Sequence, residues 1–302
     1  MKHLSIALLA ILSLAACTKN EISTPEFNMS FSDKAYKEGD TVLFNLEGNA
    51  ENLVFYPGTP GFNYENRDRI QAEGVPTLNF TSTLNYVGET NTLKLLASTD
   101  FSGKYTKAGV EAASWTDITS RALLATSATA RASGNINLSD FLTTDHKPVY
   151  LAFQYLGYKH ATLNQPKWAF TVFTLNNVLT GGTSVPISLA TELGWAQVDF
   201  KNETTQWALP VTGLVSIDGT TVGTAPKTND DNDDWVITKA LNLRKVNPDI
   251  SVPLKNLGGA KVNTFSFIYT KAGTYKGVFI GFNSISGQKK EVKREFTITI
   301  NP

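Results

Sequence analysis

Four aromatic side chains sit in polar company along this 302-residue sequence: Tyr158 beside Lys159 and His160, Trp168 after Asn164 and Lys167, Trp195 ahead of Gln197, and Trp207 after Asn202 and Glu203. A pyranose offers an apolar C–H face that stacks on Trp or Tyr, and hydroxyls that pair with amides, carboxylates and cationic side chains. These groupings therefore point to glycan binding. The competing expectation for each ring is packing in a core. It wins for Trp115 and Trp235, which fall on the apolar phase of predicted strands. It stands level for Trp168, and is weaker for Trp195, Trp207 and the strand-end Tyr158.

The run from Thr228 to Asp234 holds four Asp and two Asn in seven residues. Oxygen ligands this dense suit a structural calcium ion, with Asp230, Asp231 and Asp233 as the ligands, although the glycine and distal glutamate of an EF-hand are missing. The alternative is a solvated acidic turn ahead of a strand. Catalytic signatures are scarce. Past the first residues there are two histidines, His146 and His160, and neither lies in an H-E-x-x-H or C-x-x-C setting. No G-x-S-x-G elbow occurs. A glycosidase needs only two carboxylates, but Glu65, Asp68 and Glu73 alternate with Arg67 and Arg69, which reads as a self-paired solvated surface. The expectation is a non-catalytic protein, with a glycoside hydrolase as the lesser alternative.

The first residues carry a different chemistry. Lys2 and His3 precede an apolar run from Leu4 to Leu14, too short to cross a bilayer as a helix, and small residues lead to Cys17, the single cysteine. Residues 1–16 are thus expected to be a signal peptide. Leu14-Ala15-Ala16-Cys17 resembles a bacterial lipobox, which implies acylation at Cys17, and residues 17–25 read as a polar tether. The membrane would be met through that lipid alone. Without Lys2 the 27 basic side chains become 26 against 27 acidic ones, with no basic block, so nucleic acid is excluded as a partner.

The elements that must position these groups are strands. Val, Ile, Thr, Phe and Tyr recur in short alternating runs broken by Gly and Asn, and helix signals are few, so the fold class is all-β. In the C-terminal stretch the runs Phe265/Phe267/Tyr269, Val278/Ile280/Phe282 and Phe296/Ile298/Ile300 predict three strands with one apolar face, punctuated at Ala272-Gly273 and Ser286-Gly287. Such a half-sandwich requires a second sheet. Residues 27–56, with TVLFNLEG and NLVFY, supply it.

YKEGDTVLFNLEGNAENLVFYPG, YTKAGTYKGVFIGFNSISGQ and a closing TITI resemble the two ends of a PKD-type, immunoglobulin-like domain, with Tyr269, Gly273 and Tyr275 matching its Y-x-x-x-G-x-Y turn. Between them, LKLLASTDFSGKY, ASWTDIT, SGNINLSDF, PVYLAFQYLGY and KWAFTVFTL are similar to a choice-of-anchor, galactose-binding-like jelly roll. Its usual opening strand appears late, as DDWVITKALNL. The resemblance implies an immunoglobulin-like β-sandwich, residues 26–60 plus 263–302, interrupted by a jelly-roll sandwich at 61–262. Residues 181–229 fall outside the pattern and hold an expected hairpin turning at Asp218-Gly219. The arrangement is similar to that of Bacteroidetes surface lipoproteins known only by a domain of unknown function. It implies an outer-membrane, cell-surface protein that binds glycan for a starch-utilisation-type import system and its transporter components. An accessory or adhesin-like protein that binds another protein is the alternative.

Overall fold

The computed structural model describes residues 21–160, 163–219 and 230–302. Cys17, the expected signal segment and the second strand of the hairpin expected at Asp218-Gly219 lie outside them. The chain is all-β and forms two compact units: residues 21–68 with Pro248–Pro302, and Arg69–Asn247 between them in sequence. The middle unit is thus shorter than the expected 61–262. The reason is local pairing: Asn63 donates its N–H to Asp249 Oδ2 at 2.8 Å, and Val252 lies opposite Phe55 in a strand pair.

The outer unit consists of β1 (Phe27–Phe31), β2 (Tyr36–Lys37), β3 (Thr41–Gly48) and β4 (Asn52–Tyr56) from the first half of the chain. Val42, Phe44 and Leu46 of β3 are buried while their neighbours are exposed, as a strand with one wet face requires. The second half adds four strands, named below with their ranges, and completes two facing sheets. Phe44 and Phe55 centre an aromatic core in which the rings of Phe55 and Phe279 stack at 4.3 Å. Each fully buried Phe contributes about 1.5–3 kcal/mol.

The middle unit runs through β5 (Gly74–Asn85), β6 (Leu93–Ser98), β7 (Thr116–Asp117), β8 (Arg131–Ala132), β9 (Ile136–Asn137) and β10 (Tyr150–Gly157). It continues with β11 (Lys167–Leu179), β12 (Ser184–Ser188), β13 (Ala196–Lys201), β14 (Trp207–Ala208), β15 (Ser216–Asp218) and β16 (Asn232–Ile237). One sheet has the order β13-β16-β10-β6-β7, and the other has β14-β15-β11-β5-β8 with β12 and β9 beside it. Leu78, Phe80 and Leu84 of β5 alternate into a core shared with Leu151, Phe153 and Tyr155 of β10. The first sheet is covered on its other face too, where Trp235, Ile237 and Tyr150 pack with Phe101 and with Val110 of the short helix α1 (Lys107–Glu111). That double cover explains why β16 is buried on both sides.

The remaining strands, β17 (Val252–Lys255), β18 (Thr264–Ile268), β19 (Gly273–Ile285) and β20 (Gln288–Asn301), return to the outer unit. Two expectations are corrected here. The three C-terminal runs do not share a sheet: β18 joins β1-β3-β18, whereas β19 and β20 join β17-β4-β19-β20-β2. The chain changes sheets at the corner after β18, so these runs supply both layers. Second, the core-facing residue of β19 is Phe279. Val278 and Ile280 are buried on the opposite face, where Tyr64 meets Tyr56, the register partner of Val278, at 5.4 Å.

Candidate functional site

A cleft of about 380 Å³ opens in the middle unit where β5 ends and β11 begins. Leu84, Leu93, Leu124 and Trp168 supply apolar wall, and Glu89, Asn91, Thr92 and Thr119 supply oxygen and nitrogen. Its size suits a small ligand. Two of the hydroxyls are already committed: Thr92 Oγ1 accepts from Trp168 Nε1 at 3.0 Å, and Thr119 Oγ1 accepts from the Leu95 amide at 2.9 Å.

Among the described residues Glu89 is the single carboxylate on the lining. Its Oε2 accepts from the Tyr158 amide at 3.2 Å, which brings the end of β10 to the cleft, and its Oε1 is buried with no hydrogen-bond partner among the described residues. Burial pushes the Glu89 carboxyl above its ordinary range, against the Tyr158 amide and His160, which pull it down. The β5–β6 connection that carries Glu89 is conformationally unusual. Tyr86 and Asn91 adopt φ of 61° and 57°, a region that Asn tolerates and a bulky Tyr rarely visits. Tyr86, 44% exposed, precedes Val87 of the cleft lining.

The four aromatic candidates separate. Tyr158 is 49% exposed and meets the cleft only through its amide on Glu89, and Trp168, at 4% exposure, is a core ring whose edge reaches the cleft lining. Trp207, at 3%, is a core residue: its Nε1 donates to the Asp234 carbonyl at 3.1 Å and its ring packs near Phe153 and Phe170. Trp195 is partly buried against the same core, with Nε1 donating to the Gly213 carbonyl at 3.0 Å. Polar sequence neighbours misled for both, since the chain around a buried ring stays at the surface. Neither offers the free face expected of a sugar platform.

The Asp run is corrected as well, by strand alternation. Asp233 points to the outer face of its sheet, where its Oδ1 accepts from Gln154 Nε2 at 2.8 Å and Trp235 Nε1 at 3.1 Å. Asp230 pairs with Lys159 Nζ at 2.7 Å, and Asp231 accepts from the Lys159 amide at 2.9 Å. Asp230 and Asp231 thus meet the same lysine ahead of β16, while Asp233 is held on the strand. Among the described residues no group of three His, Cys, Asp or Glu side chains is arranged to hold a metal. The carboxylates of the other suspected set are in ion pairs or at a cap: Asp68 with Arg67 and Glu73 with Arg244, both at 3.2 Å, and Glu65 beside the capping Asn63.

Comparison with protein families matches residues 16–195 to the domain of unknown function DUF5017. The chain belongs to the DUF5017 family. No curated protein and no solved structure matches it. In this DUF5017 member the matched span contains the whole cleft, from Leu84 to Trp168, and ends before β13 and β16. Sequence reading missed Tyr86, Glu89 and Asn91. The signal for them was the turn-rich passage between two strong strands, VGETN, where loops present side chains to ligands.

Proposed function

We propose that this protein is a non-catalytic, lipid-anchored cell-surface protein that binds glycan in the cleft of its middle unit and serves an outer-membrane import system. Cys17 would carry the lipid. The outer unit is read as PKD-like and the middle one as a galactose-binding-like jelly roll. The observation that carries the binding role is the cleft itself, whose lining joins apolar side chains to Glu89, Asn91 and several threonines, with the exposed Tyr158 tied to Glu89 through its amide. A pyranose needs this combination of an apolar face and a few fixed acceptors. A single carboxylate on the lining favours binding over hydrolysis, which takes two.

Affinity electrophoresis and isothermal titration against a panel of polysaccharides and oligosaccharides test the proposal. Binding by the wild type that is weakened in Tyr158→Ala and Glu89→Gln supports it. Failure to bind any glycan rejects it and leaves recognition of another protein as the role to pursue.

A further inference from the structure

The chain enters the outer unit at one end of its sheets and is fastened there. Ile22 is buried, at 9% exposure, and the Ser23 carbonyl accepts from Asn283 Nδ2 at 3.0 Å. Asn283 is itself buried, and its Oδ1 accepts from the Glu51 amide at 3.0 Å. The Asn49 N–H donates to the Glu26 carbonyl, and Asn49 Oδ1 accepts from the Glu26 amide, both at 2.8 Å. Fixed in this way, Ile22 marks where the chain leaves the folded unit towards Cys17.

The strand registers bring three loops to the same end. β3 closes at Gly48 and turns into β4 at Asn52, which lies opposite Phe282, so β19 runs past it to the turn at Ser286-Gly287. β17 pairs Lys255 with Leu53, and beyond it the Leu257 amide donates to Asn52 Oδ1 at 3.0 Å. Two of these loops, on either side of β4, are tipped by uncovered aliphatic side chains: Leu257 is 66% exposed and Ile285 is 41% exposed. Single exposed aliphatics are ordinary on a protein surface; these two stand together where the chain departs. The charges around them are of both signs. Lys261 and Lys290 are exposed, Glu26 and Glu47 are exposed as well, and Lys289 pairs with Glu291 at 2.6 Å. The end therefore suits a surface recognised through apolar contact rather than through charge.

Four residues, Thr18 to Glu21, separate Cys17 from Ile22. Even fully extended, that connection reaches at most about 18 Å. An acyl chain on Cys17 would thus hold this end of the outer unit close to the bilayer. We propose that the end formed by the β3–β4 turn, the loop after β17 and the β19–β20 turn rests on the lipid surface, with Leu257 and Ile285 entering its headgroup layer. This inference rests on the reading of Cys17 as the lipid-bearing residue. Two aliphatic side chains bind a membrane weakly by themselves, but a short tether keeps them at high effective concentration beside it.

The test uses the full chain expressed in a bacterial host, purified from membranes and reconstituted in phosphatidylcholine vesicles containing brominated lipid, which quenches tryptophan on contact. Leu257→Trp and Ile285→Trp place the probe at the two tips. Lys271→Trp places it at the opposite end of the unit, past Ile268, whose register partner Thr41 opens β3. All five native tryptophans belong to the middle unit, and the wild type gives their background. Mass spectrometry of the N-terminal peptide reports acylation in the same samples. Emission from positions 257 and 285 should be quenched and shifted to shorter wavelength, and emission from position 271 should be unchanged. Acylated protein in which the tips are not quenched, or are quenched no more than position 271, overturns this inference and leaves the anchor in place. Absence of acyl chains at Cys17 overturns the anchor, and this inference with it.

Discussion

The hydroxyl of Tyr269 donates a hydrogen bond to the main-chain carbonyl of Pro57 at 3.1 Å, joining positions 212 residues apart in sequence. The ring is 1% exposed and lies against Phe267 and Tyr275, at the corner where the chain leaves β18 for β19. Tyr269→Phe keeps the ring and strands a buried carbonyl, so it should destabilise the outer unit by about 1–3 kcal/mol. Urea unfolding followed by tyrosine-independent circular dichroism measures it. A loss under about 0.3 kcal/mol would show that the carbonyl finds another donor.

Trp207 and Tyr158 should behave in opposite ways. Trp207→Ala removes a core ring and frees a buried carbonyl, and should cost about 3–5 kcal/mol while leaving the glycan affinity of the folded fraction unchanged. Tyr158→Ala, at an exposed strand end, should stay within about 0.5 kcal/mol in stability and weaken glycan binding roughly tenfold. Paired unfolding and titration experiments on both variants decide the matter. A selective binding defect in Trp207→Ala would return the site to the core sheet.

Glu89 sets a pH dependence whose sign follows from its burial. Its folded pKa lies above the unfolded value, so between the two the folded state holds more protons than the unfolded state. The contribution of Glu89 to stability is therefore present below the unfolded carboxylate range and is lost as pH rises through the folded value. Glu89→Gln should flatten this component. The difference in unfolding free energy between variant and wild type should move in favour of the variant from pH 4 to pH 7, and a difference that stays constant would contradict the assignment.

Gly277 lies opposite Phe296 in the β19–β20 hairpin, and a Cβ at this glycine would run into the Phe296 ring. The aromatic covers the bare backbone of its partner. Gly277→Ala should displace the ring and destabilise by about 1–3 kcal/mol, despite the better strand propensity of Ala. Differential scanning calorimetry gives the value; an unchanged or raised Tm would mean that the ring relaxes freely.

Much of the architecture was legible in the residues. Val42, Phe44 and Leu46, and Leu78 and Phe80, alternate with polar neighbours because one face of each strand is dry and the other wet, and that period survives in any context. Ser286-Gly287 marks the hairpin turn, where both residues adopt positive φ, of 47° and 80°. Trp235, on its apolar phase, packs in the core as expected. The candidate cleft was little legible: Trp168 was singled out, and Glu89 and Asn91 were not.

Other features were decided by tertiary structure alone. β19 is covered on both faces, so Val278, Phe279 and Ile280 are all buried and no period tells which one meets the central core. The sequence by itself determined that strands would form and where they turn, because those depend on side chains a few residues apart. Which face each side chain joins was settled by the opposing layer. Successive strand residues point in opposite directions, so the neighbours of Trp207 or of Asp234 in the sequence report on a surface that neither side chain touches.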